Sequence, residues 1–310
     1  MKKLLLVDGH YYLYRSFYAI RGLTNSRGEP TNAIFGFTKA LRRMLHDLRP
    51  DFAAVIWDAG LPERRTALQP EYKQQRAEMP ADLKLQEGPM QHLVSLLGIA
   101  SIAVPGTEAD DVIASYATAH DGETVIATND KDILQMVNDR IAIYSTNKAD
   151  VTDEAAGFAL LQIEEVRKKW GVAPSQIGDV LALTGDSSDN IPGVEGIGSK
   201  TATALIQQFG SVSALIAQRD QIEKPKVREK IATNIDRIRQ NLEMVRLDTD
   251  LPLPVPVLEM VIRPDYPRLI EAIAGCEFRS LLAEIKKEAD QAVTPTASFA
   301  KPMEQADLWG

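Results

Sequence analysis

Short apolar runs alternate with stretches of helical periodicity through the first half of this chain, and acidic residues stand at or just beyond the ends of several of the runs. Leu4-Leu5-Leu6-Val7 stops at Asp8 and Phe52-Ala53-Ala54-Val55-Ile56-Trp57 stops at Asp58. Thr124-Val125-Ile126-Ala127-Thr128 is followed by Asp130 and Asp132 after a short turn. Apolar runs of this length have no polar side to show to water. They suit a parallel sheet covered on both faces, and parallel neighbours need helical crossovers between them. The spacing predicts strands over 3–7, 52–57, 100–104, 124–128 and 141–144, and helices over 32–48, 89–97 and 109–119. The expected class is α/β, a central and mostly parallel sheet flanked by helices.

In an open sheet of this kind the C-terminal strand ends share one rim, where ligands bind. Nine carboxylates stand in clusters along the chain: Asp8, Asp58, Glu108, Asp110, Asp111, Asp130, Asp132, Asp186 and Asp189. Brought together, so many like charges remain ionised only if cations neutralise them. The pattern therefore reads as a carboxylate-rich metal site. Taken singly, each cluster has a plainer explanation. Glu108-Ala109-Asp110-Asp111 can cap a helix, Asp130-Lys131-Asp132 can form an Asx turn, and Asp186-Ser187-Ser188-Asp189 can be a solvated loop. Capping, however, needs one acid, and the first cluster supplies three. Hard cations such as Mg²⁺ take oxygen ligands and keep waters that a substrate phosphate can replace. Two of them about 4 Å apart stabilise both the attacking and the leaving oxygen of a phosphoryl displacement. The four histidines, at 10, 46, 92 and 120, are scattered and offer no nucleophile–base arrangement.

The net charge of −8 argues against a polyanion binder until its distribution is considered. Leaving out the nine clustered acids turns −8 into +1, and bound cations would mask those same charges. Residues 199–240 carry eight Lys/Arg against four Asp/Glu, a local excess that is either a solvated helix face or a backbone-binding flank. The single cysteine, Cys276, permits no internal disulfide, and no Cys/His zinc spacing exists. With no leader-like start and no apolar run of membrane-spanning length, the expected location is the cytoplasm.

Between residues 60 and 87 polar and charged residues dominate, as in a variable surface loop or a lid over a site. Within it, Tyr72-Lys73-Gln74-Gln75-Arg76 puts Lys73 and Arg76 three apart, on one face if helical. Paired cations above an acidic metal pocket suit a phosphate held between them, although an exposed ion-paired helix has the same pattern. From Pro174 the periodicity is helical: 177–184 and 199–209 flank a glycine-rich turn, with further helices near 226–246 and 267–288 and an extended Pro-rich connector over 251–257. Gly193-Val194-Glu195-Gly196-Ile197-Gly198-Ser199-Lys200-Thr201 is a glycine hairpin opening a helix, and free N–H groups at a helix start bind phosphate without reading sequence. A Walker A loop is excluded, since Ser199 stands where glycine must precede the lysine and no strand runs into it. Beyond Asp290 the composition predicts a disordered tail. The expected organisation is 1–173 with an insertion at 60–88, a helical domain over 174–288, and a tail over 289–310.

Together these motifs resemble the 5′-nuclease family, which includes the 5′→3′ exonuclease domain of bacterial DNA polymerase I, phage 5′ exonucleases and flap endonucleases. The resemblance runs from about residue 1 to 288. It is carried by Val7-Asp8-Gly9 with Tyr14-Arg15, Trp57-Asp58-Ala59, Glu108-Ala109-Asp110-Asp111, Asp130-Lys131-Asp132, and Thr184-Gly185-Asp186-Ser187-Ser188-Asp189-Asn190-Ile191-Pro192-Gly193. It implies a PIN-like core and a C-terminal helix-hairpin-helix domain. It also implies that all nine acids hold two or more Mg²⁺ or Mn²⁺ ions, with Asp8 and Asp58 among the catalytic residues. Residues 60–88 then resemble a helical arch guiding a single-stranded 5′ end. Lys73 and Arg76 act on the scissile phosphate, and Arg15, Arg65 and Tyr72 are further substrate contacts. Gly196, Gly198, Ser199 and Lys200 fall on the hairpin that grips duplex backbone and often holds a K⁺ ion. Pro62-Glu63-Arg64 departs from the usual start of the arch.

The implied activity is structure-specific 5′→3′ exonuclease and 5′-flap endonuclease action on DNA and RNA/DNA junctions, in primer removal or repair, by a monomer at the nucleoid. A standalone form is expected, with no polymerase domain. Gln305, Leu308 and Trp309 resemble the peptide by which bacterial replication proteins dock on the β sliding clamp; an inert tail is the alternative. Two other readings stay open, a PIN-type ribonuclease and a non-catalytic scaffold for branched DNA. The long insertion and the hairpin-bearing second domain oppose the first, and the full acid set opposes the second.

Overall fold

A computed structural model of the chain describes residues 1–151, 153 and 157–293. The chain begins with β1 (Lys3–Asp8), α1 (Gly9–Ala19), α2 (Asn32–Leu48) and β2 (Phe52–Trp57), followed by α3 (Glu63–Leu68) and α4 (Ala81–Leu96). Then come β3 (Ala100–Ala103), α5 (Ala109–Ala119), β4 (Glu123–Ala127), β5 (Ile141–Ser145), β6 (Ala159–Leu161) and α6 (Ile163–Trp170). Six strands form one sheet in the order β3-β2-β1-β4-β5-β6. The first five are parallel, and the short edge strand β6 runs antiparallel to β5. The strand order reverses direction at β1, so the crevice beside Asp8 is where an open sheet of this kind binds ligands.

Period-two alternation splits the central strand between two apolar layers. Leu4 and Leu6 face one layer with Val112, Ile113 and Tyr116 of α5, and Leu5 and Val7 face the other with Leu13, Phe37 and Leu41 of α1 and α2. All four β1 side chains are fully buried. Burying a side chain of this kind contributes roughly 1.5–3 kcal/mol, so β1 is pinned on both sides and its last residue, Asp8, has little freedom.

The second half contains α7 (Ile177–Thr184), a minimal hairpin of β7 (Gly185–Asp186) and β8 (Ile191–Pro192), α8 (Ser199–Phe209), α9 (Val212–Ala217), α10 (Pro225–Thr233), α11 (Ile235–Val245), α12 (Tyr266–Gly275) and α13 (Arg279–Val293). Its first helices continue the α5-side layer, with Ile177, Leu181, Ile206 and Ile238 in one apolar cluster with Leu4 and Ile126.

The structure departs from the sequence expectations in three places. Residues 267–288, expected with the second domain, lie in α12 and α13, which pack on the opposite layer through Leu269, Ile273, Phe278, Leu281 and Ile285. Arg42 of α2 ties α13 down with bonds to Glu284 and Glu288. Helix α4 starts at Ala81 rather than Pro89, and Pro89 sits inside it. Burial of Leu83 and Gln86 outweighs the backbone hydrogen bond that proline forfeits. The last residues of the expected arch therefore belong to the core. Residues 69–76 are turns, not helix, and Lys73 adopts a left-handed conformation (φ 56°), so Lys73 and Arg76 do not share a helical face.

Candidate metal centre

Four acids from different strand ends line one cavity of about 290 Å³: Asp8 at the end of β1, Asp58 past β2, Asp110 on the first turn of α5, and Asp130 past β4. Tyr11, Lys73, Arg76, Ala109 and Asn129 complete the wall. Three of the four are aimed by their neighbours. Asp8 caps α1, its Oδ1 accepting the Tyr11 N–H at 2.9 Å, while its Oδ2 accepts the Thr128 hydroxyl at 2.9 Å. Asp58 Oδ1 accepts the Ala109 N–H at 2.9 Å, so the start of α5 is capped from the neighbouring strand and not by its own acids. Asp130 accepts the Asp132 N–H at 2.8 Å in an Asx turn. The plain reading of that motif as a turn holds, and the turn leaves Asp130 on the cavity wall.

A second group adjoins the first. Asp132, Asp186 and Asp189 can each offer an oxygen such that all three lie within 4.8 Å of one another. The minimal hairpin delivers Asp186 and Asp189, and its two glycines approach so closely that a Cβ on Gly185 would stand 2.2 Å from the Gly193 nitrogen. One oxygen of Asp132 is buried with no hydrogen-bond partner, a costly arrangement for a carboxylate unless something else meets it.

The electrostatics agree with a site built for cations. Burial, then the charges of Asp58 and Asp130, push the Asp8 carboxyl up to about 6. Burial, then Asp130 and Asp8, raise Asp110 well above the ordinary range, and burial with Asp130, Asp189 and Asp186 does the same to Asp132. Asp186 moves the other way. Burial alone would raise it, but the Lys131 ammonium at 2.7 Å and the Ser188 hydroxyl and N–H outweigh that. All-oxygen donors, an orphan carboxylate oxygen and mutual repulsion fit hard divalent cations. Asp132, Asp186 and Asp189 could hold one, and Asp8, Asp58, Asp110 and Asp130 line the cavity beside them.

Other expected site residues are placed differently. Both Asp111 oxygens bond to Arg65, and one also accepts the Asp248 N–H at 2.9 Å. Asp111 faces away from the cavity, and its carboxylate is already satisfied. Glu108 is gripped by Arg65, the Tyr72 hydroxyl and Lys73 at the cavity's edge. Arg65 and Tyr72, expected to meet substrate, are buried at 4% and 3% exposure. Arg65 also donates to the Met244 and Arg246 carbonyls at 2.9 and 3.0 Å, so it ties the insertion to α11 and leaves no face for a phosphate. Tyr72 bridges Glu108 and Asp189, its hydroxyl 2.9 Å from the latter. Lys73 and Arg76 do line the cavity, with Arg76 2.7 Å from Asp189. Arg15 projects into solvent about one turn along α1 from Tyr11, against the Tyr12 ring and a separate cavity. Gly196, Gly198, Ser199 and Lys200 are exposed at the start of α8. Gln305, Leu308 and Trp309 lie outside the described residues.

Sequence reasoning missed Lys131, the counter-ion of Asp186, and it dismissed His10. The Asp58 N–H donates to His10 Nδ1 at 3.1 Å, which leaves Nε2–H to donate to Glu87 at 3.1 Å. The ring thus holds the loop that carries Asp58. Its place directly after Asp8-Gly9 was the available signal.

The segment 69–76 is fastened along residues 186–190. Gln69 donates to the Asn190 carbonyl at 2.6 Å, Asn190 to the Glu71 carbonyl at 2.8 Å, Lys73 N–H to the Asp189 carbonyl at 3.2 Å, and Gln75 to the Ser187 carbonyl at 3.0 Å. It forms a clasp over the second acid group.

Comparison with known proteins agrees with this architecture. The family model for the 5′-3′ exonuclease N-terminal resolvase-like domain matches residues 3–171, and that for the 5′-3′ exonuclease C-terminal SAM fold matches residues 172–268. A 5′-3′ exonuclease of Aquifex aeolicus is 36% identical over 94% of this chain and 98% of its own length. DNA polymerase I of Thermus aquaticus is 41% identical over 91% of this chain, which spans only 33% of that polymerase. Among solved structures, the D15 protein of phage T5, co-crystallised with metal ions, superposes with a TM-score of 0.65 at 20% identity, covering 94% of this chain and 99% of its own. The catalytic core of Rad2 in complex with DNA substrate gives 0.59 at 18% identity over 89% of this chain and 88% of its own. At such identities the structures bear on the fold alone, which is shared. The two matched halves and the end-to-end relative make this chain a member of the 5′-3′ exonuclease family.

Proposed function

We propose that the protein hydrolyses DNA phosphodiesters as a structure-specific 5′→3′ exonuclease and 5′-flap endonuclease, acting also at nicks and at RNA/DNA junctions. The observation that carries this reading is the meeting of carboxylates from separate strand ends in one small cavity, with the Asp132–Asp186–Asp189 group beside it. A pair of divalent cations, Mg²⁺ or Mn²⁺, would supply charge neutralisation on the phosphate and activation of water when bound there.

The chain's own residues do the rest. Asp8 and Asp58 are held by the caps they form, so the oxygens facing the cavity are fixed before substrate arrives. Lys73 and Arg76 stand on the same wall and offer cationic donors to a phosphate seated among the acids. Exposed N–H groups at the start of α8, with Lys200, suit sequence-independent contact with duplex backbone. Residues 60–80 would then meet the single-stranded 5′ end. The place of such an activity is primer removal or gap repair, by a monomer at the nucleoid, with the Gln305–Trp309 peptide available to the β sliding clamp. Among the described residues no helix is long and apolar enough to cross a membrane.

One gel tests the core of this. A 5′-labelled flap substrate should be cut only with added divalent ions, and Asp8→Asn should keep flap binding while losing cleavage by orders of magnitude. Near-parental cleavage by that variant in Mg²⁺ would remove the assignment. Truncation of Leu308 and Trp309 should abolish co-elution with the clamp and leave cleavage intact.

A further inference from the structure

The family resemblance implies a K⁺ ion held by backbone carbonyls of the 193–201 hairpin, and this chain's hairpin does not fit one. Three of its carbonyls already have partners. Val194 accepts the Ile197 N–H at 2.9 Å, and Gly198 accepts the N–H groups of Thr201 and Ala202, both at 3.0 Å. Glu195 accepts the Lys230 ammonium at 2.8 Å. Lys230 comes from the last turn of α10, a separate helix thirty-five residues away in sequence. Its Nζ stands 2.0 Å from where a Cβ on Gly196 would lie. Gly196 (φ 73°) is therefore needed twice, for the left-handed turn and for the space the ammonium fills.

We infer that Lys230 is a tethered substitute for the monovalent cation of this hairpin. A lysine ammonium is a compact point charge with three donors. It carries the charge of K⁺ and is of similar size, and it is already delivered to one of the hairpin's carbonyls. A fixed positive charge behind the hairpin strengthens the field of the free N–H groups at the start of α8, as a bound ion would, without depending on the salt outside. An ion entering beside Lys230 would meet like charge.

The inference rests on the duplex-binding reading for its first test only. Binding of a nicked duplex to the full chain, in an Asp8→Asn background to prevent cleavage, is measured by fluorescence anisotropy in K⁺ and in tetramethylammonium at equal ionic strength. With Lys230 present the two dissociation constants should agree within about twofold, whereas Lys230→Met should bind about tenfold more weakly in tetramethylammonium and recover in K⁺. Several results overturn the inference: the Lys230 form tightening more than about fivefold in K⁺, Lys230→Met weakened equally in both salts, or Lys230→Met unaffected in either.

The second test needs no DNA. Crystals soaked in thallium(I), a K⁺ mimic with strong anomalous scattering, should show a peak against the Glu195 carbonyl in Lys230→Met and none in the parent. A peak in the parent, or in neither, refutes the substitution even if the duplex-binding reading stands.

Discussion

Replacing Arg65 with Met separates a structural arginine from a phosphate-contacting one. The guanidinium is 4% exposed and makes hydrogen bonds to Glu108, to both oxygens of Asp111 and to the carbonyls of Met244 and Arg246. Met keeps much of the apolar stem but leaves Asp111, itself 3% exposed, as a buried charge without its partner. Removing one member of a buried pair costs about 3–5 kcal/mol. At about 2–4 °C per kcal/mol for chains approaching this size, the melting temperature should fall by roughly 6–20 °C. Calorimetry on the metal-free protein reads this directly. Arg76→Met is the comparison, since its side chain is half exposed and Asp189 keeps the Tyr72 hydroxyl and the Lys73 ammonium when it is lost, so the fall should be smaller. Adding Asp111→Leu to Arg65→Met should recover part of the loss by removing the stranded charge. If Arg65→Met melts within about 2 °C of the parent and instead loses flap affinity, the guanidinium faces substrate and the packing argument fails.

Other perturbations test neighbouring parts. The Asp8 carboxyl titrates near 6 in the folded chain against an ordinary 3.8, and Asp110 and Asp132 are also raised. Groups raised in this way stabilise the fold below their unfolded pKa and lose that contribution as pH rises through the folded one. In EDTA the melting temperature should therefore fall between pH 4 and 7 at these sites, and saturating Mg²⁺ should reverse most of the fall; a flat profile in EDTA contradicts it. His10→Ala removes the acceptor for the Asp58 N–H and should lower metal affinity about 10–100-fold, as loss of a supporting partner does; unchanged affinity by titration calorimetry counts against the role. Tyr72→Phe deletes the hydroxyl joining Glu108 to Asp189, should cost about 1–3 kcal/mol, and should speed proteolysis within 69–76. Unaltered cleavage there would mean the clasp is held elsewhere.

Much of the fold was readable because its signals are local. The helices at 32–48 and 109–119 and the strand at 52–57 appear with the expected bounds, since helical periodicity marks the first two and the short length of the apolar run favours a buried strand for the third. The convergence of acids was readable too, because strand ends of a parallel sheet must share a rim. What escaped depends on partners far apart in sequence. Pro89 looked like a helix start, and only burial of Leu83 and Gln86 against the core reveals that the helix is already two turns old. Arg65 and Tyr72 were expected as substrate contacts, and their burial rests on acids and carbonyls contributed by residues 108, 111, 189, 244 and 246. Asp111 was grouped with its neighbours by spacing, but on the first turn of α5 adjacent residues point in different directions, so only Asp110 reaches the cavity.

Asp189 holds two positions at once: it accepts from Tyr72 and Arg76 of the clasp and belongs to the triad with Asp132 and Asp186. Those oxygens cannot serve both partners in full. A dication seated there must draw them from the phenol and the guanidinium, and a firmly shut clasp must in turn weaken the ion's hold, by the same factor in each direction. Occupancy of the inner triad and closure of the outer loop are thus opposite ends of one seesaw, pivoting on a single aspartate.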